Sequence, residues 1–289
     1  MNEHPWERVG LMKINVAKSA GFCFGVKRAL KIAREIARSG AEVEMLGDIV
    51  HNEDVVEDIE NTGIKKVKRL RNGTDKTLLI RAHGASADVY NRASERGYTI
   101  VDATCPMVKE IHDIVKISKK EGCKIIIIGD KLHDEVRGIM GQLNNRAIVI
   151  DNQRNIPLKK IKGIKKACVV VQSTQNVEKT LKIADILKEH IKALKFYNTI
   201  CKPTRIKQKE ANDMPLKNDV MIIIGSRTSA NTKRLFEISK SHNKRSYWIQ
   251  SSDEINPKWF AGAESVGIMA GASTPDHTTR QVIDNIRSL

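Results

Sequence analysis

The stretch Lys124-Ile125-Ile126-Ile127-Ile128-Gly129-Asp130-Lys131-Leu132-His133-Asp134-Glu135 decides the fold class. A half-solvated strand alternates apolar and polar residues, and this isoleucine run does not. It reads as a strand covered on both faces, the situation of a parallel sheet between helical layers. Gly129 ends the strand, and a polar loop leads from it towards a helix. The same pattern recurs outward in both directions, at Ile14–Ala17, Thr77–Ile80, Thr99–Val101, Ala147–Ile150, Cys168–Val171, Val220–Ile224 and Val266–Met269. Helical stripes fall between, such as Val26, Leu30, Ala33 and Ala37, or Val177, Leu181, Ala184 and Ile191. Strand and helix alternate, so the chain reads as α/β.

The loops after these strands carry the chemistry. Ile80 runs into Arg81-Ala82-His83-Gly84-Ala85-Ser86, Val171 into Gln172-Ser173-Thr174-Gln175-Asn176, Ile224 into Gly225-Ser226-Arg227-Thr228-Ser229-Ala230-Asn231, and Met269 into Ala270-Gly271-Ala272-Ser273-Thr274-Pro275. With the loop after Ile128, that makes five polar turns between a strand's carboxyl end and a helix start. There, unpaired backbone N–H groups and the helix dipole favour anions, and parallel α/β sheets bind their ligands. A lone Ser, Thr or Asn in such a turn is a helix cap. Five turns enriched in His, Ser, Thr and Asn point to a shared polar cavity.

With 289 residues, 40% of them hydrophobic, the chain suits one to three compact domains. Fifty Lys and Arg against 34 Asp and Glu leave a net charge of +16, which attracts anionic partners. Aromatic residues are only 4%, too few for a base-stacking surface, and the lysines are dispersed, so no nucleic-acid partner is expected. No run approaches the roughly 20 apolar residues of a membrane span. The polar, acidic start Met1-Asn2-Glu3-His4-Pro5-Trp6-Glu7 lacks the character of a secretory signal, so a cytoplasmic protein with no membrane partner is expected.

The five cysteines form no Cys-x-x-Cys pair. Cys123 and Cys168 open apolar strands and read as small buried hydrophobes. Cys23, in Gly21-Phe22-Cys23-Phe24-Gly25, Cys105, before Pro106, and Cys201, two before Pro203, lie at expected helix starts instead. A thiolate is stabilised there by the helix dipole. Three readings stay open on spacing alone: a zinc site completed by a histidine, a catalytic thiol beside a histidine, or a three-cysteine iron–sulfur cluster. Among the histidines, His4, His190 and His242 read as surface residues, while His112 and His277 are structural or support the site from behind. His51, His83 and His133 occupy matching loop positions, where neutral or protonated imidazole can donate to phosphate. Glu135, two residues past His133, is the natural proton donor.

Taken in order, Gly21-Phe22-Cys23-Phe24-Gly25-Val26, Val50-His51-Asn52, Ala82-His83-Gly84, Asp102-Ala103-Thr104-Cys105-Pro106, Gly138 to Gln142 after His133 and Glu135, Gln172-Ser173-Thr174, Cys201, Gly225-Ser226 through Asn231, and Ala270-Gly271-Ala272-Ser273 resemble the 4-hydroxy-3-methylbut-2-enyl diphosphate reductase (LytB/IspH) family. The resemblance runs from about residue 13 to the C-terminus. It implies three similar parallel-sheet α/β domains in a pseudo-threefold arrangement around a central iron–sulfur cavity, over 13–104, 105–200 and 201–289, after an N-terminal extension of 1–12. It implies one [4Fe-4S] cluster per chain held by Cys23, Cys105 and Cys201. The activity implied is two-electron reductive dehydroxylation of (E)-4-hydroxy-3-methylbut-2-enyl diphosphate to isopentenyl and dimethylallyl diphosphates, the last step of the methylerythritol phosphate route. Reduced ferredoxin or flavodoxin is the implied electron donor. Glu135 would deliver protons, and His51, His83, His133, Ser173, Thr174, Ser229, Ala230, Asn231 and Ser273 would bind the substrate.

The chain departs from the family pattern at four places. His133-Asp134-Glu135 stands for the common His-Pro-Glu, and Ser229-Ala230-Asn231 for two serines before the asparagine. Arg81 replaces a small residue before Ala-His-Gly, and Ser173-Thr174 a Thr-Thr pair. Quinolinate synthase also joins three α/β domains to a three-cysteine cluster, but its motifs do not match. A non-catalytic nucleic-acid-binding protein is the reading of a different class; it predicts salt-steep binding and a colourless preparation.

Overall fold

The computed structural model describes residues 12–289. The extension expected over residues 1–12 therefore lies, but for its last residue, outside the described residues. The chain enters with β1 (Lys13–Val16) and α1 (Phe24–Ala37), and continues through β2 (Glu42–Leu46), α2 (Glu53–Glu60), β3 (Lys65–Val67), β4 (Lys76–Ile80), α3 (Ala87–Glu95) and β5 (Thr99–Asp102). Next come α4 (Pro106–Lys120), β6 (Lys124–Ile128), α5 (Asp134–Gly141), β7 (Ile148–Ile150), α6 (Leu158–Ile161), β8 (Lys166–Val171), α7 (Val177–His190) and β9 (Ala193–Phe196). The last run is α8 (Lys202–Asp213), β10 (Val220–Ile224), α9 (Ala230–His242), β11 (Ser246–Ile249), β12 (Ser265–Ala270) and α10 (Asp276–Arg287).

These strands form three four-stranded sheets, ordered β3-β2-β4-β5, β7-β6-β8-β9 and β1-β12-β10-β11. Every pairing is parallel. The expected class, three parallel-sheet α/β units, is what the chain adopts. Strand β1 pairs with β12, Ile14 opposite Val266, so the first strand belongs to the C-terminal sheet.

The isoleucine run shows why alternation is missing. Ile126 and Ile128 pack with Val169, Val171 and Leu187 in one apolar cluster, and Ile125 and Ile127 with Val170, Val115 and Val136 in another. Successive side chains enter cores on opposite faces, each burial worth about 1.5–3 kcal/mol. Strand β10 repeats the division: Val220, Ile222 and Ile224 serve one core, Met221 and Ile223 the other.

The chain divides into two compact units. One runs from Phe24 to Cys201 and carries two of the sheets; the other joins the segment ending at Cys23 to Lys202–Leu289 and carries the third. Among the described residues no helix is long and apolar enough to cross a membrane.

Candidate active site

In the unit Phe24–Cys201, the turns beyond β2, β4 and β6 bring three histidines together. Ring centroids are 4.2 Å apart for His51 and His83, 4.9 Å for His51 and His133, and 5.7 Å for His83 and His133. Local caps set these turns. Asn52 caps α2 by accepting from Val55 N at 3.1 Å, and His133 caps α5, its Nδ1 accepting from Glu135 N at 3.2 Å. An accepting Nδ1 leaves the proton of neutral His133 on Nε2, as a donor. His83 is half-buried, yet its Nδ1 is enclosed and has no partner. Desolvation holds the His83 ring well below the usual imidazole range, helped by His51, His133 and Arg81. Desolvation also lowers His51, against the pull of Asp134. Near pH 7 both rings are neutral donors and acceptors.

Glu135 is buried, only 2% exposed, in the first turn of α5. Ser173, beyond β8, grips it twice: its backbone N donates to Oε1 at 2.6 Å and its Oγ to Oε2 at 2.7 Å. Thr174 Oγ1 accepts from Gln172 Nε2 at 3.0 Å, while Gln172 Oε1 accepts from Asp130 N at 2.9 Å. Gln172 thus ties the turns after β6 and β8 together. Local sequence gives Gln172 no role of its own, because its partner is 42 residues away. Ser173, expected at the substrate, reaches Glu135.

Cys105 is the N-cap of α4 with Pro106 next, and its side chain makes no capping bond. Its backbone N donates to Ala82 O at 3.0 Å, and Cys201 N to Ser173 O at 3.1 Å. Both thiols are thereby fixed beside turns that carry site residues. Cys105, Cys201 and Cys23 are partly exposed, whereas Cys123 and Cys168 are buried, and none of the five is in a disulfide. Burial, then Cys123, pushes the Cys168 thiol up, away from ligation or attack. Soft thiols at helix starts suit iron or another thiophilic metal. Among the described residues of either unit, no three His, Cys, Asp or Glu side chains form a complete metal cage.

The other unit holds Cys23, Ser229, Ala230, Asn231 and Ser273. Cys23 N donates to Ala272 O at 3.1 Å, tying its loop to the turn after β12. The buried Lys207, on α8, fixes the same loop from below. Its Nζ donates to Ser19 O, to Gly21 O at 3.1 Å and to Ala270 O at 3.0 Å. Burial pushes this ammonium down to about 8, against the pull of Cys23 and Glu210. Gly21 needs to be glycine: its φ is +87°, and a Cβ there would stand 2.6 Å from Asp276 Oδ1. Ser229 caps α9, accepting from Thr232 N at 3.3 Å. Ala230 opens that helix, and the buried Asn231 leaves its Nδ2 without a partner. Ser273 is buried in the turn after β12. Lys207 was missed in sequence, since nothing in Lys202-Pro203-Thr204-Arg205-Ile206-Lys207 marks it as buried.

The sequence model described as LytB protein matches residues 14–287. A protein of Caldanaerobacter subterraneus subsp. tengcongensis named 4-hydroxy-3-methylbut-2-enyl diphosphate reductase is 38% identical over 288 residues, covering 96% of this chain and 98% of its own. An Aquifex aeolicus protein of the same name is 37% identical over 285 residues, covering 96% and 97%. A solved structure of (E)-4-hydroxy-3-methyl-but-2-enyl diphosphate reductase, described as the terminal enzyme of the non-mevalonate pathway, is 37% identical and aligns with a TM-score of 0.70 over 96% of this chain and 100% of its own. The E-1-hydroxy-2-methyl-but-2-enyl-4-diphosphate reductase of Plasmodium falciparum is 26% identical and aligns with a TM-score of 0.86 over 95% and 87%. The motif order and these matches across nearly the whole length agree, and the chain belongs to the LytB family.

Proposed function

We propose that this chain carries out the reaction for which its relatives are named, the reductive dehydroxylation of (E)-4-hydroxy-3-methylbut-2-enyl diphosphate. Two electrons and two protons convert the allylic alcohol into isopentenyl or dimethylallyl diphosphate and water. The observation that carries the proposal is the buried Glu135, held by Ser173 in the first turn of the helix that His133 caps, in the His51–His83–His133 cluster. It places a carboxyl group able to relay protons beside imidazoles suited to an anionic substrate.

Cys23, Cys105 and Cys201 are the proposed ligands of a [4Fe-4S] cluster. When bound, such a cluster supplies electrons one at a time and an iron open to a substrate oxygen. The chain's own residues do the rest. His133 presents an Nε2 proton because its Nδ1 is occupied by Glu135 N. His83 Nδ1 and Asn231 Nδ2, enclosed without partners, are the polar groups placed to meet polar atoms of the substrate. Ser229 and Ala230 open α9, whose first N–H groups suit a diphosphate oxygen. Glu135 donates a proton to the departing hydroxyl, and Thr174 orients that hydroxyl. Burial of Glu135 keeps bulk water from competing for its proton. Reduced ferredoxin or flavodoxin, acidic carriers suited to a +16 chain, is the proposed electron source in the cytoplasm.

The test is anaerobic purification and reconstitution with iron and sulfide, then an absorption spectrum and turnover with chemically reduced enzyme. Broad visible absorption and both alkenyl diphosphates are expected. Cys23→Ser, Cys105→Ser and Cys201→Ser lose both, while Cys123→Ser and Cys168→Ser keep the absorption. A reduced, iron-loaded protein that forms neither product overturns the reading.

A further inference from the structure

Arg81 and Asp134 are 53 residues apart, yet their side chains form one ion pair. Arg81 Nη1 donates to Asp134 Oδ2 at 2.7 Å, with about a fifth of each side chain exposed. Arg81 follows β4 and precedes His83; Asp134 opens α5 between His133 and Glu135. The pair thus ties together two of the turns that carry the histidine cluster. The same Asp134 Oδ2 is 4.0 Å from His51 Nε2, on the third turn. The backbone leaves room for the pair: a Cβ on Gly47, whose φ is +78°, would stand 2.7 Å from Arg81 Nη1.

A carboxylate at that position is a problem for an anion site. Alone, Asp134 would repel a diphosphate and would hold His51 Nε2 for itself. Arg81 removes the problem by neutralising the carboxylate at Oδ2, the same oxygen that lies nearest His51 Nε2. In a partly buried setting such a charge-assisted bond is strong and directional. Arg81 without Asp134 would be a bare cation behind the cluster, helpful to an anion and harmful only to the register of the turns. The two residues are therefore unequal: losing the cation costs binding, and losing both costs little.

We propose that Arg81 and Asp134 form one positioning unit, in which Arg81 cancels the Asp134 carboxylate so that the His51–His83–His133 cluster can accept a diphosphate. The inference rests on the function proposed above, and deepens it by naming what sets affinity at the histidine cluster. It also links two departures from the family pattern, since the Asp134 carboxylate is tolerable at an anion site only with the Arg81 cation beside it.

A double-variant cycle tests it in the reconstituted enzyme. Arg81→Ala raises the KM for the hydroxymethylbutenyl diphosphate tenfold or more and weakens its anaerobically measured Kd in parallel. Asp134→Ala leaves KM unchanged or lower. Arg81→Ala with Asp134→Ala together restores KM to within about threefold of the parent. Arg81→Lys, which keeps the charge but loses the planar fork, falls between. The split matters: the loss lies in KM and Kd, with kcat held within about threefold, whereas general loosening of the turns would lower kcat and the melting temperature together. If the parent enzyme turns over and the Arg81→Ala penalty is the same with and without Asp134, the pairing is overturned and the proposed function stands. A parent enzyme that is iron-loaded and reduced but forms no product overturns both.

Discussion

Lys207, on α8, and His83, in the turn after β4, each carry a nitrogen closed off from solvent next to proposed site residues, and the protein treats them in opposite ways. Lys207 is 2% exposed, and its three protons meet the carbonyls of Ser19, Gly21 and Ala270. His83 keeps an enclosed Nδ1 with no partner, beside two other imidazoles. Asn231 resembles His83, with its enclosed Nδ2 equally unserved. A buried polar group left unsatisfied costs about 1–3 kcal/mol, so each one kept next to proposed site residues marks a place where a ligand could complete it. The difference separates two jobs. Lys207 is saturated and holds a backbone, the Cys23 loop; His83 and Asn231 are unsaturated, which suits the substrate-binding role proposed for them.

The strongest way to break this contrast is to remove the saturated group. Lys207→Met keeps the length of the side chain and leaves three carbonyls without a donor. We expect a loss of roughly 3–5 kcal/mol in chemical denaturation, since buried carbonyls left without a donor cost about 1–3 kcal/mol each. The Cys23 loop then loses its anchor, so the variant should also retain less iron on reconstitution. His83→Asn, by contrast, should leave stability within about 1 kcal/mol, because no hydrogen bond to Nδ1 is lost. Equal destabilisation by the two substitutions would erase the distinction.

His112 sharpens the contrast, because its enclosed Nε2 also lacks a partner although it lies on α4, behind the His83 turn, where a Cβ on Gly84 would stand 3.1 Å from its ring. A Cβ on Gly138 would lie 3.5 Å from that Nε2, so the ring is packed against backbone. Burial, then Lys116, lowers His112 to about 4, well below the usual 6.5. In the folded state the ring stays neutral while the unfolded chain takes up a proton below pH 6.5. Stability is therefore full above about 6.5 and falls as the pH drops towards 4, by up to about 3 kcal/mol from this residue. His51 and His83 are lowered too and act in the same direction. His112→Leu should flatten part of this slope in denaturation curves taken from pH 7 to 4. An unchanged slope would mean that the other two rings carry it.

How much of this could be read from sequence varies with how local each signal is. Strands β6, β8 and β10 are legible because a purely apolar run has one environment available to it. Strand β2 is not, since Glu44 interrupts it; that glutamate is buried only because Lys76 Nζ, at 2.8 Å, and Tyr98 OH, at 2.6 Å, donate to it. Strands β9 and β11 lie at sheet edges, where half-exposed residues give no clear pattern. The His83 and His133 turns and Glu135 are legible, since each follows a recognisable strand, whereas His51 is legible only through its own Val50-His51-Asn52 motif. What joins the turns is not. Ser173 grips Glu135 across 38 residues and Arg81 meets Asp134 across 53, and no local pattern encodes such pairings.

Glu135→Gln tests the chemical half of the unsaturated region. Glutamine can place its carbonyl oxygen towards Ser173 N and its amide towards Ser173 Oγ, so the grip survives. It has no carboxylic proton to give. Turnover should fall by roughly 10²-fold or more with the absorption spectrum and substrate binding retained. Near-normal turnover would move the role to another group, with Asp134 the first to examine.

The smallest effect lies at the start of α9. Ser229 Oγ already accepts from Thr232 N at 3.3 Å, which leaves its own proton to donate to a diphosphate oxygen. Ser229→Ala should therefore lose two things: a cap, worth about 1 kcal/mol of stability, and about tenfold in substrate affinity. Ser229→Thr keeps both functions and should recover both. Ala230 is half-buried at the first helical position and offers only its backbone N–H. Ala230→Ser adds a hydroxyl where the helix dipole already favours negative charge, and a bond to a charged oxygen contributes about 1.5–3 kcal/mol. Substrate Kd should tighten by up to roughly tenfold, with stability unchanged. Anaerobic titration of the two alanine–serine exchanges separates the cap from the ligand. If Ser229→Ala lowers the melting temperature but leaves Kd alone, α9 is merely capped by Ser229, and the diphosphate is held by the histidine cluster without it.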